Sequence, residues 1–586
     1  MKINFQTLKK SVIALTVMVM GFAIESCKKD EEVQPAPTLS ITTTALSGLP
    51  GTSVELKATI NAPAGLSTVT VLKNGAAFDK KTLNGETAYD YKNTYTIESL
   101  TAGTVVNFTI QVIDSKNQSS TLGNIAVTVT AVPAKEVVTV QGTLEGNITW
   151  SASKIYKLVG FVRVGEDKTV DGTPTKTGVL TIEPGTLIIG DRASKGALIV
   201  QRGSRVIANG TADKPIVMTS ERAPGEREAG DWGGLVICGQ APVNLPVASR
   251  ELEGAYGGFF GGTDAANNSG TFRYVRVEYA GIPINPNQEV NSFTFGAVGS
   301  GTTVEYCQAS FGLDDSFEWF GGTVNCKYLI AYKGLDDDFD TDNGFSGYVQ
   351  YGIGIRGTTQ ADQSGSNGFE CDNDAAGSSN TPFTSAIFAN MSIIGAKGKS
   401  ETAISPQFQN GAQLRRNNKQ KIYNTVITGY PNGLYIDSQL GDAKGNATKG
   451  DIDLQNVILA GVSGWGTNNW GTGFSAAPRG VPVVDNEANT AATAILIGTL
   501  KPTDWFKAQK GNQILADRST LGLNDNLWAT GRPTFLPTAG QTGLLNATLP
   551  TTLPAFFDKT DYIGAFKDKD WTATWAEFSP QSVKYQ

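Results

Sequence analysis

Histidine is absent from all 586 residues. Without an imidazole the chain can build no Ser-His-Asp triad, no His-ligated zinc and no histidine general base. Any chemistry therefore falls to carboxylates, Lys, Arg, Tyr or a bound oxygen-seeking cation. Cysteine is scarce at five residues, and with no C-x-x-C pair a thiolate metal site is disfavoured. No apolar run is long enough to cross a bilayer as a helix. Basic charge is in deficit, 48 Lys and Arg against 55 Asp and Glu, and a net charge of −7 gives no reason to expect a nucleic-acid or anionic-membrane partner. Charged residues reach only 18% and aromatics 9%, whereas glycine reaches 67 residues, the profile of many tight turns joining short strands.

At the amino terminus Lys2, Lys9 and Lys10 precede an apolar run over residues 12–24, too short to span a membrane and suited to the core of a secretory signal. The run stops at Ile24-Glu25-Ser26-Cys27, which resembles a bacterial lipobox, although Glu25 stands where that motif has a small or apolar residue. The resemblance implies removal of residues 1–26, lipidation of Cys27 and a lipidated tether over residues 27–37. Lys28-Lys29-Asp30-Glu31-Glu32 is similar to the short tag that sends lipoproteins of one Gram-negative phylum to the outer face of the outer membrane. The expected location is thus the extracellular face, with the outer membrane as partner through Cys27. The remaining four cysteines, Cys238, Cys307, Cys326 and Cys371, allow three pairings and are read as buried free thiols.

The mature chain is expected to be all-β. Residues 38–132 alternate apolar and polar positions with period two, broken by turn chemistry such as Asn74-Gly75 and Asn84-Gly85, and predict an antiparallel β-sandwich. The pattern resembles the immunoglobulin-like and fibronectin-like modules of bacterial surface proteins, without their inter-sheet cysteine pair. After Pro133 short apolar strands recur, and residues 179–190 are echoed at 197–208 with an offset of 18, about one turn of a solenoid. Gly210-Thr211-Ala212-Asp213-Lys214-Pro215-Ile216 and Trp232-Gly233-Gly234-Leu235 resemble the right-handed parallel β-helix family of pectate lyases and many adhesins. That resemblance implies a right-handed parallel β-helix over residues 137–461. Residues 462–586 then read as irregular loops and a C-terminal cap, with short helices at 485–499 and 504–510 and the tail around Tyr562, Trp571 and Trp575 closing the open end.

One segment concentrates the charge. Gly312-Leu313-Asp314-Asp315-Ser316-Phe317-Glu318 recurs 22 residues later as Gly334-Leu335-Asp336-Asp337-Asp338-Phe339-Asp340. Residues 314–374 carry 12 acidic and three basic side chains, a local balance of −9 that leaves the other 525 residues at +2. Equivalent positions on adjacent coils lie about 4.8 Å apart, so Asp314 is expected over Asp336, Asp315 over Asp337 and Glu318 over Asp340. Carboxylates stacked so closely need a cation, a proton or water between them. Calcium, which takes six to eight flexible oxygens, is the cofactor this set of six residues predicts. The competing reading gives the aspartates Asx-turns facing water.

For function, two directions stand against each other. A surface protein that binds glycan, adheres, or serves an outer-membrane transporter would use the acidic ridge as a calcium site, with Trp465 and Trp470, beside Phe474, as sugar-stacking platforms; the alternative for these aromatics is plugging a loop onto the solenoid. A polysaccharide lyase or carboxylate-based hydrolase would instead need a cleft across the belt with a basic residue in it, Arg356, Arg415 or Arg416 being the candidates, although Arg415-Arg416 reads more simply as a solvated pair. The Asp-Asp pairs look like those of polygalacturonases, a family that also uses a histidine this chain lacks.

Overall fold

The computed structural model describes residues 33–585, except 169, 171–172, 255, 287, 399–401, 463–482, 487–495 and 516–517. It divides into two compact units, residues 1–134 and 135–586. No helix among the described residues is long and apolar enough to cross a membrane.

In the first unit two sheets enclose one core. Thr38–Ser40, Ser53–Asn61 and Ala88–Thr96 form an antiparallel sheet; Ala45–Gly48, Gly123–Val129, Val105–Asp114, Leu66–Lys73 and Ala76–Thr82 form the other, in that order. Alternation along each strand turns Leu56, Ile60, Val69, Val71, Phe108 and Ile110 inward, all fully buried. The hairpin joining Leu66–Lys73 to Ala76–Thr82 turns at Asn74 and Gly75, both at positive φ, the conformation for which Asn-Gly is suited.

The second unit is a parallel β-helix, built from an 11-stranded and a 15-stranded sheet whose helical pairings are parallel; parallel crossovers of this kind are right-handed. In the early coils three strands make one turn: Gly178–Ile182, Leu187–Gly190 and Ala197–Val200 are followed by Arg205–Asn209, which returns to pair with the first of them, Leu180 beside Val206. The 18-residue echo is therefore not one coil. It relates strands two apart, Gly178–Ile182 to Ala197–Val200 and Leu187–Gly190 to Arg205–Asn209, because each corner reuses the same glycine turn, as at Gly185 and Gly203. From Gly270 onward two of the three strands fuse into one long bent strand, and the bend falls on a column of left-handed residues running from Tyr274 through Tyr306, Tyr328 and Tyr351 to Asn390, Asn424 and Asn456.

The helix continues past residue 461, since Val483–Asn486 and Gln513–Leu515 extend the two sheets. A strand thus occupies positions 485–486 at the start of the helix expected over 485–499, whose residues 487–495 lie outside the described residues. Of the two short helices expected there, Pro502–Ala508 forms, and its Trp505 and Phe506 join the helix core. The tail does not close that end. It runs back along the flank, with Tyr562 against Asn390 and Trp575 against Tyr274 and Tyr306. The four cysteines described are buried and free.

Candidate metal centre

The acidic belt rises from the 11-stranded sheet. In Phe317–Phe320 the pleat sends Phe317 and Trp319 into the core, both fully buried, and leaves Glu318 on the outer face. The next coil repeats this with Phe339–Asp342 and the one after with Phe369–Cys371, so Glu318, Asp340 and Glu370 stand in one register row. Beneath them the aromatic rings stack, Phe293 on Phe317 at 4.9 Å and Phe317 on Phe339 at 5.7 Å. This rigid column holds the carboxylates in line.

At the corner before each strand lie the paired aspartates. Asp337 donates its backbone N–H to Asp315 Oδ1 at 2.7 Å, locking one coil onto the next. Asp336 accepts from Ser364 at 3.1 Å. Two trios of carboxylate oxygens result, Asp314 with Asp315 and Asp336, and Asp315 with Glu318 and Asp340, the oxygens of each within 4.8 Å of one another. All six residues of the expected set are thus brought to one place, although Asp337 turns its carboxylate to Asn367 rather than into either trio.

The belt also borders a cleft of about 200 Å³ lined by Asp315, Asp336, Asp337, Asp340, Ser364, Gly365, Glu370, Gln409, Gln413 and Arg415. Burial and then neighbouring negative charge push Asp314, Asp315, Glu318 and Asp340 well above the ordinary carboxylate range. Asp337 is pushed up to about 8 by burial and by Asp336, and Glu370 to about 8 by burial, against the pull of Arg415. Glu253, itself pushed up to about 7 by burial and then Glu289, adds its charge to Asp314 and Glu318. Neither residue was legible as part of the site: one lies in a loop and the other in the small hairpin Pro283–Asn285 with Gln288–Glu289, far from the repeat. Asn291 was missed too; its amide donates to Glu318, while its Oδ1 and Asp340 Oδ1 are buried without a hydrogen-bond partner.

The donor set suits a hard cation. Every group is an oxygen, the ligands are flexible carboxylates, and 4.8 Å is the span across an ion whose oxygens sit about 2.3–2.6 Å away. Buried acidic clusters able to hold a metal ion are therefore present.

The arginines occupy other roles than that of a general base. Arg356 is fully buried, 3.3 Å from Asp338, and donates to Tyr430 at 3.2 Å and to the Gly334 carbonyl at 3.1 Å. A Cβ at Gly354 would collide with the Asp338 carboxylate, so that glycine makes room for the pair. Arg415 bridges Glu370 and Asp372, and Arg416 meets Asp372 at 2.6 Å. The two are not a solvated pair but braces across the acidic row, and the carboxylates facing Arg415 hold its guanidinium protonated. Trp465, Trp470 and Phe474 lie outside the described residues, as does Cys27.

Fold and site together define a parallel β-helix protein with a cation-competent acidic cleft on one sheet. Residues 142–503 match the pectate-lyase-like β-helix domain, and the chain belongs to that family. No curated protein matches it. Among solved structures it is similar to the family 28 exopolygalacturonase of Yersinia enterocolitica, at 10% identity over 82% of this chain and 98% of the other, with a TM-score of 0.15. The catalytic domain of a GH87 α-1,3-glucanase in complex with nigerose aligns at 11% identity over 73% and 92%, TM-score 0.19. The fibronectin(III)-like modules of Clostridium thermocellum CbhA align at 16% identity over 16% and 95%, TM-score 0.12. Likenesses this distant carry no argument about activity.

Proposed function

We propose that this protein is a lipid-anchored surface protein whose β-helix binds glycan through a calcium-loaded acidic cleft. In this reading Cys27 carries the anchor on the extracellular face of the outer membrane, an Ig-like module precedes the β-helix along the chain, and the partner is a glycan or an outer-membrane transporter. The observation that carries the calcium-loaded cleft is the meeting of two carboxylate trios at Asp315 beside it. Asp315, Glu318, Asp340 and Asp336 would hold a calcium ion there, which would offset the burial and mutual repulsion that favour the protonated acids and would supply a site for sugar hydroxyls. Gln409 and Gln413 supply neutral donors and acceptors beside it.

A second reading, carboxylate-based glycoside hydrolysis, is favoured by one feature. Asp337 and Glu370 keep their protons to about pH 8, and a carboxyl protonated at neutral pH is what a general acid requires. The lyase form has less support, since each of its three candidate bases is held by a carboxylate. A polysaccharide panel tests both: the full-length protein, with calcium and after chelation, is scored for retention and for new reducing or unsaturated ends. Calcium-dependent retention without new ends supports binding, new reducing ends support hydrolysis, and neither retention nor new ends on any glycan sinks the carbohydrate reading.

A further inference from the structure

The tail on the flank is held in an unusual way. Residues 544–585 contain no strand or α-helix; apart from a bridge between Leu545 and Tyr562 and the short turn Pro580–Ser582, their backbone groups have no ladder to pair with and need other partners. The β-helix supplies them from side-chain amides. Gln350 donates to the Asp558 carbonyl at 3.0 Å and accepts the Asp558 N–H at 2.8 Å. Two coils away Gln308 does the same to Glu577, at 2.6 and 3.0 Å. Asn390, Asn424 and Asn456, the left-handed residues of the bend, donate to the carbonyls of Tyr562, Ala547 and Thr548 at 2.8–3.0 Å. A carboxamide carries donor and acceptor side by side, so each glutamine clamps one residue's main chain whatever its side chain.

A second observation is independent of these bonds. The continuous core inside the coils, which runs from Val140 to Phe506, includes no buried residue of the tail. Phe566, Trp571, Trp575 and Phe578 pack instead with Ile330, Tyr332 and Ile353 in a separate cluster on the outside of the sheet. The coils thus close their own interior, and the tail is an addition to a finished surface.

We propose that this flank is a peptide-binding groove that reads main chain through paired amides, with residues 544–585 as a tethered and displaceable occupant, and that the same segment of a second copy of this chain is the partner it fits. Trp571, Trp575 and Phe578 pack on Tyr328, Tyr306 and Tyr332, and the identical segment of another copy carries the same three rings at the same spacing, which is why the occupant is another copy. The joining segment 538–542 is exposed, as an exchange of identical elements between copies requires. In the single chain the tether gives the tail a high effective concentration and favours the closed form.

The test uses the full chain with a protease site inserted between Ala539 and Gly540. After cleavage the C-terminal piece should stay bound through gel filtration, and a labelled synthetic peptide of residues 540–586 should replace it while the strand signal in circular dichroism persists. Gln308→Ala with Gln350→Ala should speed that exchange at least about tenfold. In the uncut protein, copies carrying two different tags should be recovered together after incubation at high concentration, and the double variant should pair less. Loss of the piece on cleavage, a strand signal that falls in step with its release, or no exchange while the protein stays folded would each overturn the groove. Exchange of the peptide with no mixed pairs would overturn the second copy as partner.

Discussion

Asp315 accepts the Asp337 N–H through Oδ1 and belongs to both carboxylate trios. Asp315→Asn should therefore remove the calcium response of the whole cleft, whereas Asp336→Asn with Asp337→Asn should remove only the part carried by Asp314, Asp315 and Asp336, leaving the trio of Asp315, Glu318 and Asp340, while raising the stability of the calcium-free form by relieving repulsion. Calcium at about 100 times Kd should stabilise the parent by roughly 2.7 kcal/mol. Calorimetry with and without chelator reads this, and a parent whose melting temperature ignores chelation rules the site out. The pH dependence has a definite sign. Asp337 and Glu370 titrate near 8 in the folded protein but at about 4 when unfolded. As pH rises from about 4 to about 8 the unfolded chain ionises first, so metal-free stability should fall across that window and level off above it. Saturating calcium, which favours the ionised form, should flatten or reverse the slope in melting temperature. Arg356 allows a test away from the cleft: Arg356→Met leaves Asp338 buried without its cation and should cost about 3–5 kcal/mol in denaturant titration.

At the scale of the element, the strand Phe317–Phe320 does two things at once. Its inward face anchors the core, Trp319 stacking on Phe295 at 5.5 Å and on Phe345 at 5.3 Å, and its outward face presents Glu318. Trp319→Ala should thus cost about 3–5 kcal/mol and also weaken calcium binding, because the cavity loosens the row that holds Glu318 over Asp340. A calcium titration of the variant below its melting point separates the two effects; unchanged affinity would mean that the carboxylates are placed by the corners alone. The alternation and the 22-residue repeat made this element and its register legible, since Glu318 pairs with Asp340 in the expected row. The 18-residue echo misled, because identical corner chemistry recurs within a coil as well as between coils.

On the scale of the whole molecule, the division at residues 134 and 135 falls beside Pro133, so limited proteolysis should cut there first and release the β-helix intact. Cys27→Ala should move the protein from the membrane to the soluble fraction. Replacing Asp30, Glu31 and Glu32 with Ala should leave it facing the periplasm, protected from external protease in intact cells. Digestion as fast as the parent would sink the export-tag reading.

Several levels of this protein were written in its order of residues. Period-two alternation specified strands, because a pleat must send neighbours to opposite faces; glycine turns specified short ones; the lack of histidine confined the chemistry to oxygen and guanidinium groups. The recurrence of Asp-Asp before Phe-x-x-Phe or Phe-x-x-Asp placed a carboxylate row on one face. What needed the tertiary structure was everything carried by residues far apart along the chain. Glu253, Glu289 and Asn291 act on the Asp314 and Glu318 carboxylates of the acidic belt from segments with no periodicity of their own. Arg415 and Arg416 read as a solvated pair until Glu370 and Asp372 were seen facing them. The tail's aromatic residues suggested a cap, yet their partners are the left-handed tyrosines and asparagines of the flank. Local patterns record local sterics and burial, whereas charge compensation and the docking of an irregular segment depend on distances that exist only once the coils are stacked.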